Sequence, residues 1–260
     1  MELKGKLAVV CGSTQGIGFA TAKLMAERGA SLVLIARNEE RLEKAVQSLD
    51  SSEGQQHQVL VADFTNPQDL KSKLADFVEA GNNPDILVNN TGGPKGGLII
   101  DAETSEFIDT FNQHLICNHI LVQAFYPGMK NKGGGKIINV ISTSVKQPLN
   151  GLGVSNTIRG AVASWSKTLA NELGQFNITV NNVLPGATNT GRLNSIAASK
   201  AGKTNQSADE VLSDMAKQSP MQRIAEPEEV AEAIAFLASD RASYINGINV
   251  PVDGGRTKSL

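Results

Sequence analysis

The chain has 260 residues, 40% hydrophobic and 19% charged, the balance of a globular protein large enough to bury a sizeable core. A net charge of −2 gives no support for the basic footprint of a nucleic-acid-binding protein. Two cysteines, Cys11 and Cys117, make no disulfide framework, and no apolar stretch approaches the length of a membrane span.

The amino terminus, Met1-Glu2-Leu3-Lys4-Gly5-Lys6, runs into the first apolar segment without a signal-peptide pattern, so a reducing, cytoplasmic setting is expected. Apolar runs predict strands at about 6–11, 31–36, 57–62, 85–90, 135–141, 178–184 and 247–252. Helical patterns fall between them, near 16–28, 39–49, 67–80, 104–130, 152–174 and 226–238. Strands alternating with helices predict an α/β doubly wound fold, a three-layer sandwich around a seven-stranded parallel sheet. No repeat or low-complexity linker interrupts the alternation, so residues 1–260 are expected to form one domain. Ligands of such sheets sit beyond the carboxyl ends of the strands.

Between the first strand and the first helix lies Cys11-Gly12-Ser13-Thr14-Gln15-Gly16-Ile17-Gly18. Strand, glycine loop and helix in that order predict a dinucleotide site. Gly12 permits a sharp turn, and the bare Gly16 and Gly18 let backbone approach a pyrophosphate and the sheet. The helix start offers unpaired N–H groups to phosphate. The second strand ends at Ala36-Arg37, without the acid that would bond a ribose 2′-hydroxyl. Arg37 could instead pair a 2′-phosphate, which favours NADP(H) over NAD(H).

The loop spacing resembles that of the short-chain dehydrogenase/reductase family, and more of the pattern follows in order. Asn89-Asn90-Thr91-Gly92 resembles that family's Asn-Asn-Ala-Gly, Pro185-Gly186-Ala187-Thr188-Asn189-Thr190 its Pro-Gly-x-x-x-Thr, and Val252-Asp253-Gly254-Gly255 its C-terminal signature. Within the family the chain looks like a 3-oxoacyl-carrier-protein reductase. The resemblance implies a Rossmann-type NAD(P)-binding domain and a cofactor set of Gly12, Ser13, Thr14, Gln15, Gly16, Ile17, Gly18, Arg37, Asp63, Phe64, Asn90, Gly92, Arg159, Pro185, Gly186, Thr188 and Thr190. Asp63 and Phe64 would contact the adenine, although Asp63 reads equally well as a turn residue. Cys117 stands where the family's helix usually carries a glycine. A homo-oligomer, specifically a tetramer, is implied by resemblance alone.

The family's catalytic residues are Asn, Ser, Tyr and Lys, the last two spaced to share one helix face. Alignment on Gly160-Ala161 puts Ser155 at the Tyr position and Arg159 at the Lys position, with Ser142 and His114 at the Ser and Asn positions. Only Ser142 matches. A serine hydroxyl is a far weaker acid than a phenol of pKa about 10. Arg159 holds its charge and relays no proton. Tyr126, expected at the end of the long helix, and Tyr244, before the last strand, are badly placed to substitute. Lys146 could donate a proton if desolvated, His114 has a suitable unperturbed pKa, and water could fill the space of the missing ring. His114 also reads as a hydrogen-bonded structural histidine. His114 and His119 are not spaced as paired metal ligands, and no metal site is expected.

The expected buried stripe of the long helix is Phe107, Phe111, Leu115 and Leu121. Residues 191–220, rich in small and polar side chains, read as a mobile substrate lid or as an exposed helical excursion. Ser142, Ser155, Arg159 and Lys146 together predict a cationic pocket for a small, carboxylate-bearing substrate. Three functions remain open: an NADP(H)-dependent oxidoreductase reducing a carbonyl, a ligand-binding homologue without turnover, and a non-redox lyase or dehydratase.

Overall fold

The computed structural model describes residues 2–202 and 204–259. Seven strands, β1 (Leu7–Cys11), β2 (Ser31–Ala36), β3 (Gln58–Val61), β4 (Ile86–Asn89), β5 (Gly135–Val140), β6 (Ile178–Pro185) and β7 (Asn249–Val252), form one sheet in the order β3-β2-β1-β4-β5-β6-β7. Every pairing is parallel, as the alternation predicts. Helices α1 (Gly16–Glu27), α2 (Glu39–Gln47) and α9 (Pro227–Ala238) belong to one half of the structure; α3 (Pro67–Glu79), α4 (Thr104–Phe111), α5 (Cys117–Asn131) and α6 (Gly153–Leu173) belong to the other.

The two-residue period of a strand divides the interior into two cores. Ala8, Val10, Leu32, Leu34, Ile86 and Val88 point toward the α1 and α9 side, while Val9, Cys11, Val33, Ile35 and Leu87 point toward α3, α5 and α6. Both faces are covered, which is why these strands read as continuous apolar runs rather than alternating ones. Strand order reverses between β1 and β4, so the two chain ends leaving these strands diverge and open a crevice at the switch point.

Two expectations about the long helix are corrected. It is interrupted by one π-helical turn, Asn112–Ile116, between α4 and α5. The extra residue of a π turn rotates everything beyond it relative to the preceding helix. The buried face therefore carries Thr110, His114, Cys117, Leu121, Phe125 and Met129. Of the predicted stripe, Leu121 is buried, Phe107 and Leu115 are half-buried, and Phe111 is exposed. As the 104–130 range predicts, the helix continues through Pro127, ending at Asn131, and Tyr126 within it packs beside the α3–α5 core. Residues 191–220 contain two helices, α7 (Gly191–Ala201) and α8 (Ala208–Lys217), anchored by Leu193, Ala197 and Val211.

Candidate functional site

The glycine loop lies at the switch point. Gly12 takes φ +59°, and a Cβ there would meet the Asn90 carbonyl oxygen at 2.6 Å. A Cβ on Gly18 would fall 2.2 Å from the Gly12 carbonyl oxygen, so the loop can close on α1 only with glycine at that position. Asn90 at the end of β4 donates its amide to the Cys11 and Gly12 carbonyls at 3.2 and 3.3 Å, tying the two diverging strand ends together. Ser13 is buried, Thr14 and Ile17 are half-buried and Gln15 is exposed. Gln15 stands at the N-cap of α1 without a capping hydrogen bond, and no acid occupies the first turn. The first N–H groups of α1 consequently lack a side-chain partner, as a phosphate site at a helix start requires. A cradle lined by bare glycine backbone, next to an uncapped helix start, fits the pyrophosphate of a nicotinamide dinucleotide.

Arg37 follows β2 directly and is exposed; among the described residues no carboxylate pairs with it. The next residue, Asn38, caps α2 by accepting from the Arg41 N–H at 2.8 Å. Asp63, beyond β3, accepts from the Thr65 N–H at 3.0 Å, a turn-forming bond. Phe64 packs against the α3–α5 core and its carbonyl accepts from the Cys117 thiol at 3.3 Å. The Cys117 thiol is thereby accommodated in the core. Burial, and secondarily the Asp63 charge, pushes its thiol up to about 12.

On the opposite wall, Pro185 ends β6 and Gly186 lies so close to Asp253 that a Cβ would touch its Cα at 2.8 Å. Thr188 bonds the Gly186 carbonyl at 3.2 Å, and Thr190 caps α7 through the Leu193 N–H at 3.3 Å. Thr190 also reaches the glycine loop: its Cγ2 would lie 3.0 Å from a Cβ on Gly16. Distant segments of the predicted cofactor set thus face one crevice. Gly92 is exposed on the loop leaving β4.

The four residues that the resemblance sets at the catalytic positions have unequal surroundings. Ser142 is half-buried at the end of β5, where its Oγ accepts from the Ser144 N–H at 3.1 Å. That acceptor bond leaves the hydroxyl hydrogen free to donate. Ser155 is half-buried in the first turn of α6, one turn before Arg159. Arg159 is buried and donates from Nη1 to the Val140 carbonyl at 2.9 Å. Burial, then the neighbouring Arg192 cation, pushes its guanidinium down to about 10, still charged at neutral pH. His114 is buried, with Nδ1 2.5 Å from the Thr91 hydroxyl. Burial and the Arg159 charge hold it well below its ordinary value, although a hydrogen bond with the Gly92 backbone pulls the other way. The imidazole is therefore neutral at pH 7 and supplies no proton as an imidazolium.

Lys146 does not join this group. It follows a short 3₁₀ turn, Thr143–Val145, and is exposed, so the desolvation its proton-donor role required is absent. Sequence reasoning missed two features. One is Arg192 at the start of α7, hidden inside a polar segment with no motif around it. The other is a line of asparagines across the sheet. Asn89 donates to Asn139 at 2.8 Å, Asn139 to Asn182 at 3.1 Å and to Ser166 at 3.1 Å, and Asn182 to Asn249 at 2.8 Å. The signal for it was an asparagine in each of four strands, but their alignment depends on strand register.

A cavity of about 370 Å³ is lined by Thr143, Gln147, Leu149, Lys217, Arg256 and Lys258. It lies between the loop after β5, the end of α8 and the C-terminal tail. Among the described residues no three His, Cys, Asp or Glu side chains gather as metal ligands, and no helix is long and apolar enough to cross a membrane.

The family model described as Enoyl-(Acyl carrier protein) reductase matches residues 12–257. The chain is 33% identical over 258 residues to a 3-oxoacyl-(acyl-carrier-protein) reductase of Vibrio cholerae, covering 98% of each chain. It is 32% identical over 259 residues to dehydrogenase/reductase SDR family member 4 of Homo sapiens, covering 99% of this chain and 90% of the other. The structure of L-sorbose reductase from Gluconobacter frateurii, complexed with NADPH and L-sorbose, superposes with a TM-score of 0.92 at 33% identity over 100% of both chains. An NADPH-dependent reductase involved in bacilysin biosynthesis superposes with a TM-score of 0.91 at 28% identity, over 98% of this chain and 99% of that one. A glycine cradle at the β1–β4 switch point and likeness along the whole length lead to one conclusion: the chain belongs to the short-chain dehydrogenase/reductase family of nicotinamide-dependent oxidoreductases.

Proposed function

We propose that the protein is an NADP(H)-dependent reductase of a small carbonyl compound, working without the family's tyrosine and lysine. The observation that carries the reading is the uncapped start of α1 against the glycine cradle, with Arg37 exposed and unpaired beside it. Gly12 to Gly18 and the α1 N–H groups would hold the pyrophosphate, and Arg37 the 2′-phosphate. Asn90, Gly92, Pro185, Gly186, Thr188 and Thr190 would border the nicotinamide end. The nicotinamide group supplies the hydride.

The protein's part is to polarise the carbonyl. Ser142, its acceptor side engaged by Ser144, donates its hydroxyl hydrogen to the substrate oxygen. The Arg159 cation opposes the negative charge that grows there as the hydride arrives. Ser155 is too short to replace a phenol, so water in the vacated volume brings the proton. The 191–220 segment, carrying α7 and α8, serves as the lid over the substrate. Leu98, Ile99, Ile100, Ile108 and Phe111 near the site, and Tyr244 at the far edge, are exposed apolar side chains that support assembly into a homo-tetramer.

A second reading, a ligand-binding homologue without turnover, is favoured by the neutral His114 and the absent phenol. NADPH consumption across a carbonyl panel separates the two. Turnover by the wild type supports the reductase. NADPH binding without turnover, restored by Ser155→Tyr combined with Arg159→Lys, supports the second reading. Failure to bind NADPH in calorimetry removes the reductase reading.

A further inference from the structure

Over the carboxyl ends of β4 and β5, two guanidinium groups converge with no acid between them. Arg159 rises from the second turn of α6 and is 8% exposed. Arg192, in the first turn of α7, is exposed and donates from Nη2 to the Pro94 carbonyl. Both reach Gly93: a Cβ on that residue would lie 3.7 Å from Arg192 Nη2 and 4.0 Å from Arg159 Nη2. One carboxylate can touch groups spaced in this way.

Neither arginine is paired with a carboxylate among the described residues, although eight other Lys and Arg side chains are. Their one carbonyl partner each, Val140 for Arg159 and Pro94 for Arg192, leaves most of the five donors of each guanidinium for a ligand. The titratable neighbour of Arg159 is His114, held neutral by its burial and by Arg159 itself. The first turn of α7 carries no acid, so its helix start adds to the positive field. Two cations, one of them buried, repel one another, and an anion between them offsets both the desolvation of Arg159 and the repulsion.

We infer that Arg159 and Arg192 form a two-guanidinium carboxylate site, which makes the substrate an oxo acid and fastens the lid helix α7 to the core when its carboxylate is bound. The identification of that carboxylate as the substrate's rests on the reductase reading; the anion site itself does not. Arg192 takes the place that the sequence assigned to Lys146. Fork-shaped donors suit a planar carboxylate better than an ammonium does.

The test is calorimetric titration of the full chain with pyruvate and malonate, and with uncharged acetone as control, each with and without saturating NADP+. Pyruvate and malonate should bind and acetone should not. Arg192→Met should weaken carboxylate binding about 10- to 100-fold, as expected for loss of a charge-assisted hydrogen bond, and Arg192→Lys by less. Thermal melts check that each variant is folded. Because Arg159 is buried, Arg192→Met is the primary probe and Arg159→Lys its companion. Equal carboxylate binding by wild type and Arg192→Met overturns the inference, as does a folded wild type that binds neither acid. Should Arg192→Met lose NADP+ affinity and keep pyruvate, the anion is a cofactor phosphate and the inference also fails. Carboxylate binding by a protein that takes up no NADP+ would sink the reductase reading and leave this site standing.

Discussion

Replacing Arg159 by methionine should cost the fold nothing and cost the site its function. The folded protein lowers this guanidinium from 12.5 to about 10, chiefly by burial. At about 1.4 kcal/mol for each pH unit, the buried cation destabilises the folded state by about 3 kcal/mol. The folded value lies below the unfolded one, so this cost is fully present below pH 10 and fades only as pH rises toward 12.5. Against it stands the hydrogen bond to the Val140 carbonyl, whose loss leaves a buried acceptor unpaired at about 1–3 kcal/mol. The difference predicts that Arg159→Met is as stable as wild type, or up to about 2 kcal/mol more stable. Meanwhile NADPH-dependent reduction should fall about 10²-fold or more, as when a preorganised charge is removed from an oxyanion. Urea unfolding at pH 7 and initial rates with pyruvate measure the two quantities. A variant destabilised by more than about 2 kcal/mol would show that the fold draws net stability from this charge, and the argument would be wrong.

His114 supplies a pH test. Its folded pKa lies well below the ordinary 6.5, so the unfolded chain takes up a proton that the folded chain refuses. Stability should fall as pH drops below 6.5, by up to about 1.4 kcal/mol per pH unit from this residue, and His114→Gln should flatten that slope in pH-dependent melts. Arg37→Gln should weaken NADPH binding about 10- to 100-fold and leave NADH binding within about threefold; equal losses for both cofactors would remove the 2′-phosphate role. Asn139→Ala leaves Asn89 and Asn182 without their shared partner, so destabilisation by about 1–3 kcal/mol is expected in chemical unfolding. Gly18→Ala drives a methyl to within 2.2 Å of the Gly12 carbonyl oxygen. It should destabilise the fold by about 1–3 kcal/mol and abolish nucleotide binding, read by melting and calorimetry together.

Local pattern carried much of this protein in its letters. Continuous apolar runs marked the seven strands because both faces of a parallel sheet are covered, and their order with the helices was enough for the doubly wound architecture. Gly12, Gly16 and Gly18 disclosed the cradle because a turn, an N-cap and a helix start are properties of neighbouring residues. That Ser155 and Arg159 share a helix face was legible for the same reason, since they are one helical turn apart.

What tertiary structure decided has no local period. A single π turn at Asn112–Ile116 rotated the face beyond it and left Phe111 outside. His114 reads as a titrating residue by type, yet burial beside Arg159 keeps it neutral. Lys146 is near Ser142 in the chain but exposed, whereas Arg192, from an unremarkable polar segment, comes to Gly93 beside Arg159. Asn89, Asn139, Asn182 and Asn249 align only because four separate strands pair in one register. Periodicity and capping are written over a few residues; desolvation and the meeting of charges arise only when segments far apart in the chain close on the same crevice.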